Sequence, residues 1–595
     1  MPIPRLRSHE RLPSGDAWPI SLRDWRRWME TAQRLEQREL AHRMLEIAST
    51  LNQRPMSPRQ RVRTLELLQP CIRRALDYLA TRFQAQPLPL PSSARASYRI
   101  MLELLSELAA AFETAVFAPA WPSPRRTLAL AGERALSFLG ERNLRIAQTY
   151  AAPETDYWSR VNRLYRALEA AGASDRPVAG ARIPGAAGSR RSPAAMYKQL
   201  LLFALAGLQG MRRDEAARLY RALDSWASLA RLQTPDATGD RGLQRFAVDL
   251  DSDLGPGPAE QAGSGPGVRT LEVSELIIHI EQLREQCSLQ SKAVPALDEV
   301  GQATLARLLD SWMPGSYQRS RRARRGSQVD AEVCLEVIHA RLSADGAAPD
   351  EANGADNPEP PPDWELEPIA DSDMALSRDK GGIRAGVNWN EIPQTQQPSP
   401  GFHEARAAAS AALAAGAEQP PPRWILEDVS ATGFRLIWEG AGACHVAVGE
   451  LVALRTNRRD GDRSRWCIGV VRRMRFLDEH RFEIGVQAVA PTALAVELNK
   501  LAANPNLRQS SSDGQHGSAL LLPADRRDRT PTTLLVPSHA WREGDRVELH
   551  MRKRCHRFTL GSLVEDTGTV SRYRLEPAPD RRRQTPSDAR FAGSA

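Results

Sequence analysis

Asp428-Val429-Ser430-Ala431-Thr432-Gly433 lies between two short apolar runs, Trp424-Ile425-Leu426 and Phe434-Arg435-Leu436-Ile437-Trp438. Small and polar residues closing on a glycine between strand-forming runs predict a tight turn joining two antiparallel strands. Roughly a hundred residues upstream, Arg321-Arg322-Ala323-Arg324-Arg325 leads into Val329-Asp330-Ala331-Glu332-Val333-Cys334-Leu335-Glu336-Val337-Ile338-His339, whose alternation predicts a half-buried strand entered by a basic arm. Downstream, residues 448–454, 466–473 and 482–487 alternate or are β-branched, with charged turns at 457–465 and 477–481. Together these runs predict an antiparallel barrel built from 318–342 and 423–498.

Working outward, the segment 343–422 changes character sharply. It runs through Asn357-Pro358-Glu359-Pro360-Pro361-Pro362-Asp363 and an alanine-rich stretch to Gln419-Pro420-Pro421-Pro422. Such composition buries too little apolar surface to offset chain entropy, so a disordered insertion splitting the barrel is expected. Before the arm, residues 20–312 read as helical. In 35–47, apolar positions Leu40, Ala41, Met44, Leu45 and Ile47 share one face and charged residues take the other. Segments 62–83, 96–117, 128–150, 157–171, 196–208 and 214–231 behave alike, and Gly-, Pro- and Asp-rich 232–267 reads as a loop. Aromatics at helical spacing in 157–165 and 215–220 lack a 34-residue period, which favours an irregular helical bundle over tetratricopeptide hairpins. After a polar linker at 504–517, short strands within 518–576 predict a small C-terminal β-module, and 577–595 a disordered tail. The expected fold class is therefore multidomain α+β.

Composition is compatible with this division. A chain of 595 residues exceeds one core, so two to four domains are expected. The 43 prolines and 39 glycines supply linkers, and 42% apolar with 26% charged residues is ordinary for globular protein. A net charge of +8 is compatible with anionic partners and with a mixed solvated surface. Cys71, Cys287, Cys334, Cys444, Cys467 and Cys555 show no CxxC spacing, which predicts reduced thiols and no zinc site. No apolar run follows the basic start of the chain and none reaches 18 residues, so a soluble, cytoplasmic protein without membrane insertion is expected.

The RxxxR and DxSxxG elements, in this order around a first strand, resemble the PilZ domain family. RxxxR alone carries little weight where only Lys198, Lys292, Lys380, Lys500 and Lys553 among 80 Lys+Arg are lysine, but DxSxxG is much rarer. The resemblance implies a β-barrel receptor for cyclic di-GMP, with Arg321 and Arg325 clamping the ligand. It implies that Asp428 and Ser430 hydrogen-bond a guanine while Gly433 permits close backbone approach. The chemistry suits those roles: guanidinium pairs with two phosphate oxygens or spans guanine O6 and N7. A carboxylate accepts guanine N1 and N2 hydrogens. By the same resemblance the protein is a cytoplasmic effector in motility, attachment or exopolysaccharide control, with a protein partner engaged through the helical region and no cofactor beyond the ligand.

Other readings of the same residues stand beside this one. Asp428 to Gly433 also fits an Asx-type turn without a ligand, and the arginine run fits a nucleic-acid-binding or merely solvated arm. A helical scaffold with a ligand-independent barrel is a third reading. The eleven histidines form no HExxH, and Gly263-Ser264-Gly265-Pro266-Gly267 has no following GK[ST], so a binding protein is expected rather than an enzyme.

Overall fold

The computed structural model describes residues 21–577 except 85, 119–123, 180–189, 236–244, 260–264, 290–299, 314–322, 348–422, 431, 441–445, 457–464, 479–480, 502–515, 525–530, 539 and 552–553. The expected insertion and tail therefore lie, all but 343–347 and 577, outside the described residues.

The N-terminal half is helical: α1 (Leu22–Ala32), α2 (Gln37–Gln53), α3 (Pro58–Gln84), α4 (Ser92–Phe117), α5 (Arg125–Ala147), α6 (Tyr157–Ala170), α7 (Pro193–Ala204) and α8 (Arg213–Trp226), with a small ribbon of β1 (Val178–Ala179) and β2 (Arg190–Arg191) before α7. Local chemistry sets the starts. Ser21 Oγ accepts from the Asp24 amide at 3.2 Å while Asp24 Oδ2 accepts from the Ser21 amide at 3.0 Å, a capping box for α1. Ser192 caps α7, with Pro193 at the first position where no amide partner is required.

The expected loop at 232–267 carries short strands, β3 (Arg231–Gln233), β4 (Arg245–Asp249) and β5 (Gly257–Pro258), which pair with β6 (Val268–Glu272) just beyond it in the order β3-β6-β4-β5. Strands of two to five residues among glycines and prolines leave too little alternation to read. Helices α9 (Ser274–Leu289) and α10 (Gln302–Trp312) follow.

Next comes a closed antiparallel barrel of β7 (Ala323–Val333), β8 (Arg423–Ser430), β9 (Gly433–Glu439), β10 (Leu451–Thr456), β11 (Arg465–Phe476) and β12 (Arg481–Ala490), ordered β7-β8-β9-β12-β11-β10. Its inward Trp424, Trp438 and Phe482 pack together, Trp424 edge to face with Phe482 and the other two pairs tilted. Trp312 of α10 belongs to the same continuous apolar cluster, so the helical part and this barrel share one core. The expected strand through His339 ends at Val333. Cys334 takes a left-handed φ of 71°, and helix α11 (Leu335–Ala347) begins. The apolar run there satisfies both periods: Leu335, Ile338 and Leu342 also stand at i, i+3 and i+7.

A second closed antiparallel barrel comprises β13 (Leu494–Lys500), β14 (His516–Leu522), β15 (Thr533–Pro537), β16 (Arg546–Met551), β17 (Arg554–Asp566) and β18 (Val570–Pro577). Its order, β13-β14-β15-β18-β17-β16, repeats the first barrel strand for strand. Residues 494–498, expected in the first barrel, form its first strand, because the polar linker at 504–517 falls inside this barrel rather than before it. Between the barrels α11 packs on β10, β13 and β14. Leu335, Ile338, Leu451, Ile468, Leu520 and Leu535 join in one cluster there. Trp466 of β11 belongs to that inter-barrel cluster.

Polar contacts complete the junction. Arg212 Nε donates to the Val448 carbonyl at 3.1 Å and its Nη2 to the Thr567 carbonyl, while Thr569 Oγ1 donates to the Gly449 carbonyl at 2.6 Å. One arginine at the start of α8 thus touches both barrels.

Inside the helical part, Glu133 is fully buried between Arg191 at 2.6 Å and Arg134 at 2.5 Å, and Arg191 also reaches Asp224 at 2.5 Å. Burial alone would raise the Glu133 carboxyl, but the two guanidiniums outweigh it and hold it below the usual carboxylate range. Its contribution is therefore present above the unfolded value of about 4.3 and is lost as pH falls through the lower folded value. We expect Glu133→Gln, which strands two buried cations, to cost roughly 3–5 kcal/mol. Thermal melts across the acid range should show a flatter acid limb for this variant than for the parent. Equal acid sensitivity would assign the acid response to other groups.

Candidate functional site

The two halves of the RxxxR and DxSxxG signature meet on neighbouring strands. In the β7–β8 ladder Arg324 opposes Asp428 and Ser327 opposes Leu426, with a register shift between these pairs. Gly326 there has φ 64° with open space around it, so glycine is required by backbone conformation alone. The β8–β9 ladder shifts at the same level, where Leu426 opposes Leu436 but Asp428 opposes Arg435. Without that extra residue Asp428 would oppose Phe434, which is buried in the barrel core. The bulge turns its carboxylate to the outer face, the re-aiming that bulges perform.

On that face an ionic cluster gathers. Asp428, only 4% exposed, accepts from Arg435 Nη2 at 2.6 Å. Arg435 Nη1 donates to Glu483 Oε2 at 3.2 Å, and Arg473 Nη2 lies 3.8 Å from Glu483 Oε1. Ser430 Oγ donates to the Gly433 carbonyl at 3.1 Å and closes the turn. Arg325 is exposed on β7, one residue from the register partner of Asp428. Arg321 lies outside the described residues.

Gly433 serves a closer neighbour than a ligand. A Cβ there would stand 2.1 Å from the Val486 carbonyl oxygen of β12. The close backbone approach expected at this position is thus the approach of β9 to β12. Sequence reasoning missed Arg435, Arg473 and Glu483. The available signal was an arginine in the first outward position of β9, but its pairing with Asp428 follows from a bulge that no residue pattern announces.

These features define the barrel as a PilZ domain, and residues 245–494 match the family model described as the middle PilZ domain of the cyclic-di-GMP receptor FimW. Residues 23–237 match the N-terminal domain of that receptor and residues 505–578 its C-terminal β-barrel domain, so the chain has the receptor's domain order throughout. The matched descriptions are of a receptor and not of an enzyme. The cyclic-di-GMP receptor FimW of Pseudomonas aeruginosa is 24% identical over 603 residues, covering 98% of this chain and 94% of the relative. No solved structure matches the chain.

If Gly433 is required by strand packing, Gly433→Ala should lower stability by roughly 1–3 kcal/mol in the absence of any ligand, the usual cost of overpacking. Chemical denaturation of the ligand-free variant measures this. Unchanged stability would leave a ligand contact as the reason for the glycine.

Proposed function

We propose that this chain binds cyclic di-GMP on the outer edge of β7, β8 and β9 and converts binding into a change in its protein interactions. The observation that carries the reading is the paired register shift that brings the arginine-bearing strand beside an outward-turned Asp428. The relative's description as a cyclic-di-GMP receptor supports the ligand. In this reading Arg321 and Arg325 close over the phosphodiester and guanine, and Asp428 and Ser430 select guanine by its N–H edge. Arg435 fixes the carboxylate in an accepting orientation. We take the protein to act in the cytoplasm. Among the described residues no helix is long and apolar enough to cross a membrane. Motility, attachment or exopolysaccharide output is the downstream process we propose.

The strand bearing the arm is tied at its far end to another domain. Beyond Cys334 the chain becomes α11, whose His339 Nε2 lies 3.1 Å from the Val496 carbonyl of β13. Ordering the arm therefore bears on the second barrel through α11, and on the helical region through the shared core around Trp312. A ligand shifts such an equilibrium only by its differential affinity for the two states, which clamping arginines supply.

Calorimetric titration with cyclic di-GMP, against GTP and short RNA at several salt concentrations, tests the ligand. We expect Arg321→Ala and Arg325→Ala each to cost roughly 1.5–3 kcal/mol of binding, the scale of a hydrogen bond to a charged group. Unchanged affinity in the double variant removes the assignment. An RNA complex that is tight at physiological salt would overturn the ligand class, since arginine-driven nucleic-acid binding weakens steeply with salt.

Amide exchange tests the coupling. Binding should slow exchange along β7, in α11 and around Val496. Protection confined to residues 428–433 would make the barrel a passive module.

A further inference from the structure

The second barrel carries a cluster that the nucleotide reading does not use. Glu548 and His550 stand two apart on β16 and so share a face, and Cys555 of β17 is the register partner of His550. The intervening Val547 and Leu549 are buried in the barrel core, so the three side chains stand on its outer surface. The ligand atoms of Glu548, His550 and Cys555 all lie within 4.8 Å of one another.

We propose that Glu548, His550 and Cys555 form a binding site for a divalent transition-metal ion of the zinc type. Three protein ligands leave a fourth tetrahedral position for water. A thiolate and an imidazole in the set disfavour magnesium and calcium, which take oxygen donors, and favour zinc or its neighbours in the first transition row.

Surrounding contacts already orient two of the three ligands. Arg557 Nε donates to Glu548 Oε1 at 3.0 Å, which turns Oε2 toward His550 Nε2 at 3.5 Å. Asn499 of β13, the register partner of both Glu548 and His516, places its Nδ2 2.9 Å from that same His550 nitrogen. Nε2 accepts that hydrogen bond with its one lone pair, so an ion bound at this nitrogen displaces the Asn499 amide. Binding forms bonds to a carboxylate oxygen, an imidazole nitrogen and Sγ, and the Cys555 proton passes to solvent. Cys555 is exposed, whereas Cys71, Cys334 and Cys467 are buried, which makes it the accessible thiol among the cysteines described.

The cluster escaped the sequence because its ligands do not fall in pairs of cysteines. His550 and Cys555 become neighbours only when the hairpin closes, and the carboxylate completes a set that no CxxC spacing announces.

Cobalt(II) and zinc titrations of tag-free full-length protein, stripped with chelator, test the site. We expect one equivalent of cobalt to give a thiolate-to-metal charge-transfer band that zinc abolishes by displacement. C555S should lose the band, and H550A/C555S should lose the equivalent of metal while keeping the parent's circular dichroism. Glu548→Gln should weaken binding while retaining the band. Absence of a thiolate band in the parent protein, or unchanged stoichiometry and affinity in H550A/C555S, would overturn the proposal. Nucleotide titration is a separate readout, so failure of one site is distinguishable from failure of the other.

Discussion

The guanidinium of Arg212 sits where the helical region, the PilZ barrel and the second barrel meet, and the relation among the three depends on what it can reach. Its planar fork of fixed donors serves carbonyls of two different domains at once, Val448 in one barrel and Thr567 in the other. An ammonium, a point charge on a flexible stem, would not span the same pair. The arginine is itself held, since its backbone amide donates to Glu215 Oε2 and Arg307 donates to the same carboxylate. Apolar clusters on either side supply the area, and this polar contact supplies the angle. A site on β7 to β9 is therefore built on a frame that is tied at several points.

Two barrels with one strand order show how little of a binding site resides in topology. Between the second and third strands the PilZ barrel carries DxSxxG. The second barrel carries Pro523-Ala524-Asp525-Arg526-Arg527-Asp528-Arg529-Thr530-Pro531-Thr532 in the corresponding connection. What distinguishes the first barrel is the coincidence of irregularities in β7 and β8, which turns an acid out of the core beside an arginine-rich strand. The two barrels are joined through α11, which continues the strand of one and packs on the other.

Much of this was legible from residue order. The 3.6-residue period in 35–47 foretold α2, and the runs at 466–473 and 482–487 became β11 and β12 with little change. The errors have definite physical causes. Short strands inside 232–267 were read as loop because pairing, not periodicity, creates them. The change from β7 to α11 was missed because Leu335 and Ile338 satisfy both periods, and the choice is made by the groove between the barrels. The DxSxxG turn was recognisable, but the partner of its aspartate was not: Arg435 meets Asp428 only through a register shift set by the whole barrel.

The crowding at Gly433 changes what the turn can be taken to report. A residue demanded by the contact of β9 with the Val486 carbonyl is under selection for folding whether or not a nucleotide is ever bound. In a lineage whose barrel ceased to sense anything, that glycine would persist as an architectural relic while the arginines of the arm drifted. Receptor status in such barrels is then better judged from the arm than from the turn.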